Sequence, residues 1–119
     1  MKNHKELKEE YKNKKFRMGV FRIKNTINSK IFIGSSLNLD AIWNRHKTQL
    51  KFGMHPNKEL QADWKEYGQE NFSYEILAEL KEDKEKAADP NKEVKILEQL
   101  YVEELEPFDE RGYNKRTVN

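Results

Sequence analysis

The chain predicts an α+β fold: a small three-stranded antiparallel sheet flanked by helices and preceded by an N-terminal helix or arm. Three observations predict it. Two short runs rich in β-branched and aromatic residues, 18–24 and 30–34, flank the turn-forming stretch Asn25-Thr26-Ile27-Asn28-Ser29-Lys30. A third run, 72–80, alternates Phe72, Tyr74 and Ile76 on one face. Three further segments space their apolar residues by three and four, the helical period.

Taken in order, residues 4–15 read as a basic amphipathic helix or arm, with Leu7 and Tyr11 four apart. The strand over 18–24 turns Val20 to one face and Phe21 and Ile23 to the other. Its antiparallel partner, 30–34, places Phe32 on the face of Phe21. A helix follows, with Asn38 as N-cap, Asp40 in the first turn and Gly53 as stop. Its inward stripe is Leu39, Trp43, His46 and Leu50. A second helix runs from Asn57 as cap to Gly68 as stop and buries Leu60 and Trp64. The third strand comes next. Residues 81–91 are densely charged, contain Asp89-Pro90 and read as an exposed loop. A third helix, 93–105, turns Val94, Leu97, Tyr101 and Leu105 inward, and 107–112 reads as a loop. We expect one domain over 18–119 behind a basic arm, 1–17.

Composition narrows the class. The length of 119 residues suits a single domain. Charged residues make up 37%, so the surface is heavily ionic, while two Trp, five Tyr and six Phe suffice for a core. The absence of cysteine excludes disulfides and Cys-ligated zinc. No stretch approaches the roughly 18 apolar residues of a membrane span. Met1-Lys2-Asn3-His4-Lys5 leads into no apolar signal segment. A cytoplasmic protein without membrane contact is expected. The net charge of +2 hides an asymmetry. Residues 1–56 carry thirteen Lys or Arg against four Asp or Glu; residues 57–110 carry seven against seventeen. A basic first half suits phosphate contact, although solvated helices of opposite sign explain the pattern equally well.

Short motifs carry more than composition does. Gly19-Val20-Phe21 and Phe32-Ile33-Gly34 lie on the two strands of the first hairpin. This arrangement resembles the GIY-YIG nuclease superfamily, with each motif tyrosine replaced by phenylalanine. Ser35-Ser36, Trp43-Asn44-Arg45-His46, Gly53-Met54-His55-Pro56-Asn57-Lys58, Tyr67-Gly68-Gln69-Glu70-Asn71-Phe72, Leu97-Glu98-Gln99 with Tyr101, and Gly112-Tyr113-Asn114 resemble further segments of that family, in order. The resemblance runs from about Met18 to Lys115.

It implies a site. Phosphodiester hydrolysis needs a nucleophilic water, a cation against charge growing on the phosphate, and a protonated leaving group. Family enzymes hold one divalent ion on a helix glutamate, activate water with a motif tyrosine, and meet the phosphate with an arginine. Glu98 matches the metal-binding glutamate, for Mg²⁺ or Mn²⁺; its plain alternative is a solvent-facing helix residue. Asn114 matches the terminal asparagine and is otherwise a turn residue. Phe21 stands where the water-activating tyrosine belongs and Phe32 at the second tyrosine; neither ring can exchange a proton. Ile42, ten residues after Phe32, stands at the arginine position. Arg45 lies one turn later and is the substitute cation, or else a surface arginine. His46 reads as a hydrogen-bonded core histidine. His55 reads as the freer one, a substitute base, a phosphate contact or a polar loop residue. Tyr74 and Tyr113 are further substitutes.

Three functions stay open: a metal-dependent DNA endonuclease with substituted groups, a degenerate member that binds nucleic acid, and a catalytically inactive protein-interaction module using its acidic half, 57–110. The resemblance makes nucleic acid, DNA first, the expected partner. The chain leaves no room for the separate DNA-binding domain many members carry. Sequence specificity is therefore expected only with a protein partner or as a homodimer.

Overall fold

The computed structural model describes residues 16–80 and 89–116. The predicted element over 4–15 lies outside them, as does most of the predicted charged loop. The elements are β1 (Gly19–Asn25), β2 (Ile31–Ser36), α1 (Leu39–Lys51), α2 (Lys58–Tyr67), β3 (Phe72–Glu79) and α3 (Pro90–Leu105). One antiparallel sheet in the order β2-β1-β3 puts β1 at its centre. The fold class is the predicted one, and the described elements follow one another along the chain in the predicted order.

The pleat of β1 sorts the core into two halves. Phe21 and Ile23 face one side with Leu39 and Leu50 of α1, Leu60 and Trp64 of α2, Phe72 and Tyr113. Val20 faces the other with Ile31 and Ile33, against Leu97, Tyr101, Val102 and Leu105 of α3. Antiparallel pairing sets Phe21 opposite Gly34 and Ile23 opposite Phe32, so both phenylalanines share the α1 face. Opposite β3 the register slips: Phe21 faces Ile76 but Val20 faces Ala78. The extra residue, Leu77, turns to the α3 half, as a bulge allows.

Caps fix the helix ends. Asn38 accepts from the Ala41 amide and Asn57 from the Leu60 amide, as predicted. The chain leaves α1 through Gly53 at φ +72°, a conformation most side chains resist. One boundary needs correction. Asp89-Pro90 is not loop: Asp89 caps α3, accepting from the Asn91 amide, and Pro90 is its first residue. Proline suits that position because its missing N–H has no helical acceptor to lose. On α1 the predicted stripe is uneven. Leu39 and Leu50 are buried, whereas Trp43 and His46 are half-buried.

The C-terminal segment closes the open edge of β2. Gly112 bridges Ile31 in parallel, and the Tyr113 amide donates to the Ile31 carbonyl at 2.8 Å. An exposed strand edge is a template for unwanted pairing, and this cover removes it.

Candidate functional site

The α1 face of the sheet gathers most of the predicted site. The Phe21 ring stands 5.4 Å from the His46 ring and 5.5 Å from the Tyr74 ring. The Phe32 ring lies 5.7 Å from His46 and 6.0 Å from His55. Ile42 and Trp43 pack against the same cluster, and Trp43 stacks on Tyr74 at 5.4 Å. Gly34 makes room for this arrangement: a Cβ there would stand 2.6 Å from Phe21 Cζ.

At the centre His46 Nδ1 and His55 Nε2 are 2.7 Å apart. The tautomers follow from their surroundings. The Asn57 amide N–H donates to His55 Nδ1 at 3.0 Å, which leaves that nitrogen without a proton. In the neutral ring the proton then sits on Nε2 and is donated to His46 Nδ1. His46 in turn carries its proton on Nε2. Burial lowers the pKa of His46 to about 4, helped by the His55 and Arg45 charges. Burial also lowers that of His55. Both rings are therefore neutral near pH 7.

This differs from the expectation for His55. It is the more enclosed of the two, 6% exposed, and both its ring nitrogens are engaged. Its own amide donates to Gln61 Oε1 at 3.0 Å, while Gln61 Nε2 donates to the Leu50 carbonyl at 2.9 Å. Gln61 thus ties the end of α1 to the loop carrying His55. With no free lone pair, His55 is badly placed to act as a base. His46 is half-exposed and presents an N–H, a donor suited to a phosphate oxygen.

The two tyrosines are also committed. Tyr74 donates to the Leu39 carbonyl at 2.7 Å, and burial raises its pKa. Tyr113 is 1% exposed; its hydroxyl donates to Asp63 at 2.6 Å and accepts from Asn25 at 3.2 Å. Burial and the bond to Asp63 raise its pKa. The network holds the C-terminal segment, β1 and α2 together, and no sequence pattern announced it.

Asn114 has a definite place. Its Oδ1 accepts from the Ile33 amide at 2.8 Å, and its Nδ2 donates to the Ile33 carbonyl at 2.9 Å. It satisfies both backbone groups of the residue before Gly34. Arg45 is exposed and makes no ion pair among the described residues, yet its charge is felt at His46.

Glu98 stands apart from this cluster. It rides on α3, whose apolar residues cover the opposite face of the sheet. Its side chain is 25% exposed and, among the described residues, its carboxylate meets only Lys95, at 3.8 Å. On that same α3 face, Ser35 Oγ is the buried side-chain polar atom without a partner among the described residues. Among those residues no three His, Asp or Glu form a metal-binding group. A single half-buried carboxylate with weak competition fits a largely hydrated Mg²⁺, which takes one or two carboxylates and keeps its waters. It does not fit an all-protein cage.

Comparison with known proteins agrees with this fold. The family model of the GIY-YIG catalytic domain matches residues 17–114. The chain belongs to the GIY-YIG family. This GIY-YIG domain is 34% identical over 67 residues to Intron-associated endonuclease 1 of Enterobacteria phage T4. That match covers 56% of this chain and 27% of the relative, so the chain spans about a quarter of that protein. Two solved structures share the fold with a TM-score of 0.69 each. One is the catalytic domain of intron endonuclease I-TevI carrying a glutamate-to-alanine mutation, 27% identical, covering 83% of this chain and 93% of that one. The other is the catalytic domain of homing endonuclease I-TevI, 29% identical, covering 84% and 99%.

Proposed function

We propose that this GIY-YIG domain binds nucleic acid through its basic half and hydrolyses phosphodiesters slowly or not at all. One observation carries the reading: every candidate base on the α1 face is either missing or committed. Phe21 has no hydroxyl, His55 has no free lone pair, and Tyr74 and Tyr113 donate to fixed acceptors. What remains is a phosphate-binding surface. The neutral His46 N–H meets a phosphate oxygen, and approach of that anion raises the His46 pKa and strengthens the contact. The exposed Arg45 adds a guanidinium suited to phosphate.

Glu98 would hold a divalent ion, Mg²⁺ or Mn²⁺, which supplies Lewis-acid polarisation and an acidified water when bound. Asn114 positions β2 by pairing with Ile33 and leaves the chemistry to other groups. The match to an intron-associated endonuclease supports DNA as the first substrate to try.

The test combines binding and cleavage. Supercoiled plasmid, branched DNA and single-stranded DNA are incubated with Mg²⁺ or Mn²⁺, for wild type beside Glu98→Ala, and binding is read by fluorescence anisotropy across salt concentration. Salt-sensitive binding without cleavage that Glu98→Ala removes is the expected result. Rapid metal-dependent cleavage abolished by Glu98→Ala would overturn the slow-chemistry part and return the search to a relocated base.

A protein-interaction role has one observation in its favour. Ile96 and Leu100 are each 56% exposed and lie one turn apart on the acidic α3. Failure to bind any nucleic acid at low salt would promote that reading.

A further inference from the structure

The two most exposed large apolar side chains of the described residues are neighbours. Met54 is 72% exposed and Phe52 is 68% exposed, on either side of Gly53. They form the tip of the connection between α1 and α2. Apolar groups held in water this way mark a contact surface.

The tip is built, not loose. The Phe52 amide donates to the Thr48 carbonyl at 3.1 Å, Gly53 to Leu50 at 3.2 Å, and Met54 to Gln49 at 2.8 Å. Gly53 takes the positive φ that reverses the chain. The Gln61 bridge to Leu50 and His55 holds the base of the loop. The next residue is His55, so the tip adjoins the histidine pair.

The chain segment that carries it is basic. Residues 41–58 contain Arg45, Lys47, Lys51 and Lys58 and no Asp or Glu. Lys47 lies over the Trp43 ring at 5.4 Å and shares a helix face with Lys51. None of the four makes an ion pair among the described residues. Arg45, seven residues before Phe52, falls on the same side of the helix two turns back. Uncommitted cations around two protruding apolar groups complement a phosphate backbone with bases exposed between phosphates. The same face of a second copy carries the same four cations and repels it.

We propose that Phe52 and Met54 are an apolar wedge that stacks against unpaired or unstacked bases while Arg45, Lys47, Lys51 and Lys58 hold the flanking phosphates. The preferred ligand is DNA with a fork, bulge or single-stranded segment. An intact duplex must first be unstacked, at a few kcal/mol per step, before a side chain enters. Unpaired bases present their faces without that cost. The proposal rests on the nucleic-acid reading above and narrows it to a substrate class.

The experiment measures anisotropy of a labelled duplex and of the same duplex with a central bulge of unpaired bases. A 2-aminopurine in the bulge reports stacking. Wild type, Phe52→Ala with Met54→Ala, and Lys51→Glu with Lys58→Glu are compared after circular dichroism confirms their fold. The wild type is expected to prefer the bulge by about tenfold and to change 2-aminopurine fluorescence. The alanine pair loses both and keeps its salt dependence. The charge-reversed pair weakens on both DNAs and shows a shallower salt dependence. Bulge preference and fluorescence change retained by the alanine pair overturn the wedge while leaving nucleic-acid binding intact. A concentration-dependent dimer lost in the alanine pair, with DNA binding unaltered, overturns it in favour of self-association. No binding of either DNA at low salt overturns both the wedge and the function it rests on.

Discussion

His46 Nδ1 and His55 Nε2 share a single hydrogen bond of 2.7 Å, and the Asn57 amide at His55 Nδ1 decides its direction. The pair is stable only while both rings are neutral. Protonating either puts a charge beside Phe21 and Phe32 and displaces a donor. The sign for stability follows. The folded pKa of His46, about 4, lies below the usual 6.5, so the unfolded chain binds more protons between those values. The histidine contribution to stability is full above pH 6.5 and is lost as pH falls toward 4. Urea melts across that range are expected to show a steeper fall for wild type than for His46→Gln. Carboxylates titrate nearby in both proteins, so the difference between the two curves is the readout. Parallel curves would mean that the pair titrates normally.

Asn114 gives a second prediction. Its side chain satisfies both the amide and the carbonyl of Ile33, on the edge strand β2 one residue before Gly34. Asn114→Ala leaves two partly buried backbone groups without those partners, at a cost of about 1–3 kcal/mol. Asn114→Asp keeps the acceptor but sets a second oxygen against the Ile33 carbonyl. Denaturant melts are expected to rank wild type above both. Amide exchange at Ile33 is expected to accelerate in Asn114→Ala while β1 and β3 stay protected. Equal exchange at Ile33 would show that another group closes that edge.

Gly34→Ala addresses the packing of the face. The new Cβ would lie 2.6 Å from Phe21 Cζ, and the ring is held by Tyr74 and His46. Overpacking of this kind costs about 1–3 kcal/mol. Trimming the ring with Phe21→Leu in the same chain is expected to recover part of that loss. A non-additive double-mutant cycle is the sign of direct contact. Additive effects would mean that the two residues do not meet.

Phe21 and Phe32 also show how far a sequence carries. Period-two patterning put them on one face of a hairpin because the pleat leaves no other choice. The caps Asn38 and Asn57 were legible for the same local reason. Asp89-Pro90 was misread as loop, because the run of charges before it obscured a helix start made of an Asp cap and a first-turn proline. The histidine pair was not legible. His46 and His55 lie nine residues apart on a helix and a loop. Their contact depends on the turn at Gly53 and on Gln61 reaching across. Tyr113 is similar, since its partner Asp63 is fifty residues away. Long-range polar contacts leave no periodic trace. Glu98 is the reverse case, conspicuous in its motif yet on a helix that covers the other face of the sheet.

Ile42 offers the most direct test of why the chemistry is expected to be slow. It lies on α1 one turn before Arg45 and packs at the edge of the Phe21 cluster, half-buried. By the motif resemblance, an arginine is expected there. Ile42→Arg exchanges one apolar contact for a guanidinium that reaches toward the His46 side of the cleft. One added phosphate contact steepens the salt dependence of DNA binding by roughly one unit in log–log slope. A well-placed electrostatic group in a transition state is worth about a hundredfold or more in rate. Ile42→Arg is therefore expected to tighten binding and to raise any metal-dependent cleavage that Glu98→Ala removes. Adding Phe21→Tyr restores the missing hydroxyl beside it, and the two changes together are expected to exceed either alone. The checks are the salt slope by anisotropy and the cleavage rate on branched DNA. A steeper slope with no gain in rate would locate the defect in the missing hydroxyls. An unchanged slope would show that position 42 does not meet phosphate, and the binding surface would then lie with Arg45 and the lysines beyond it.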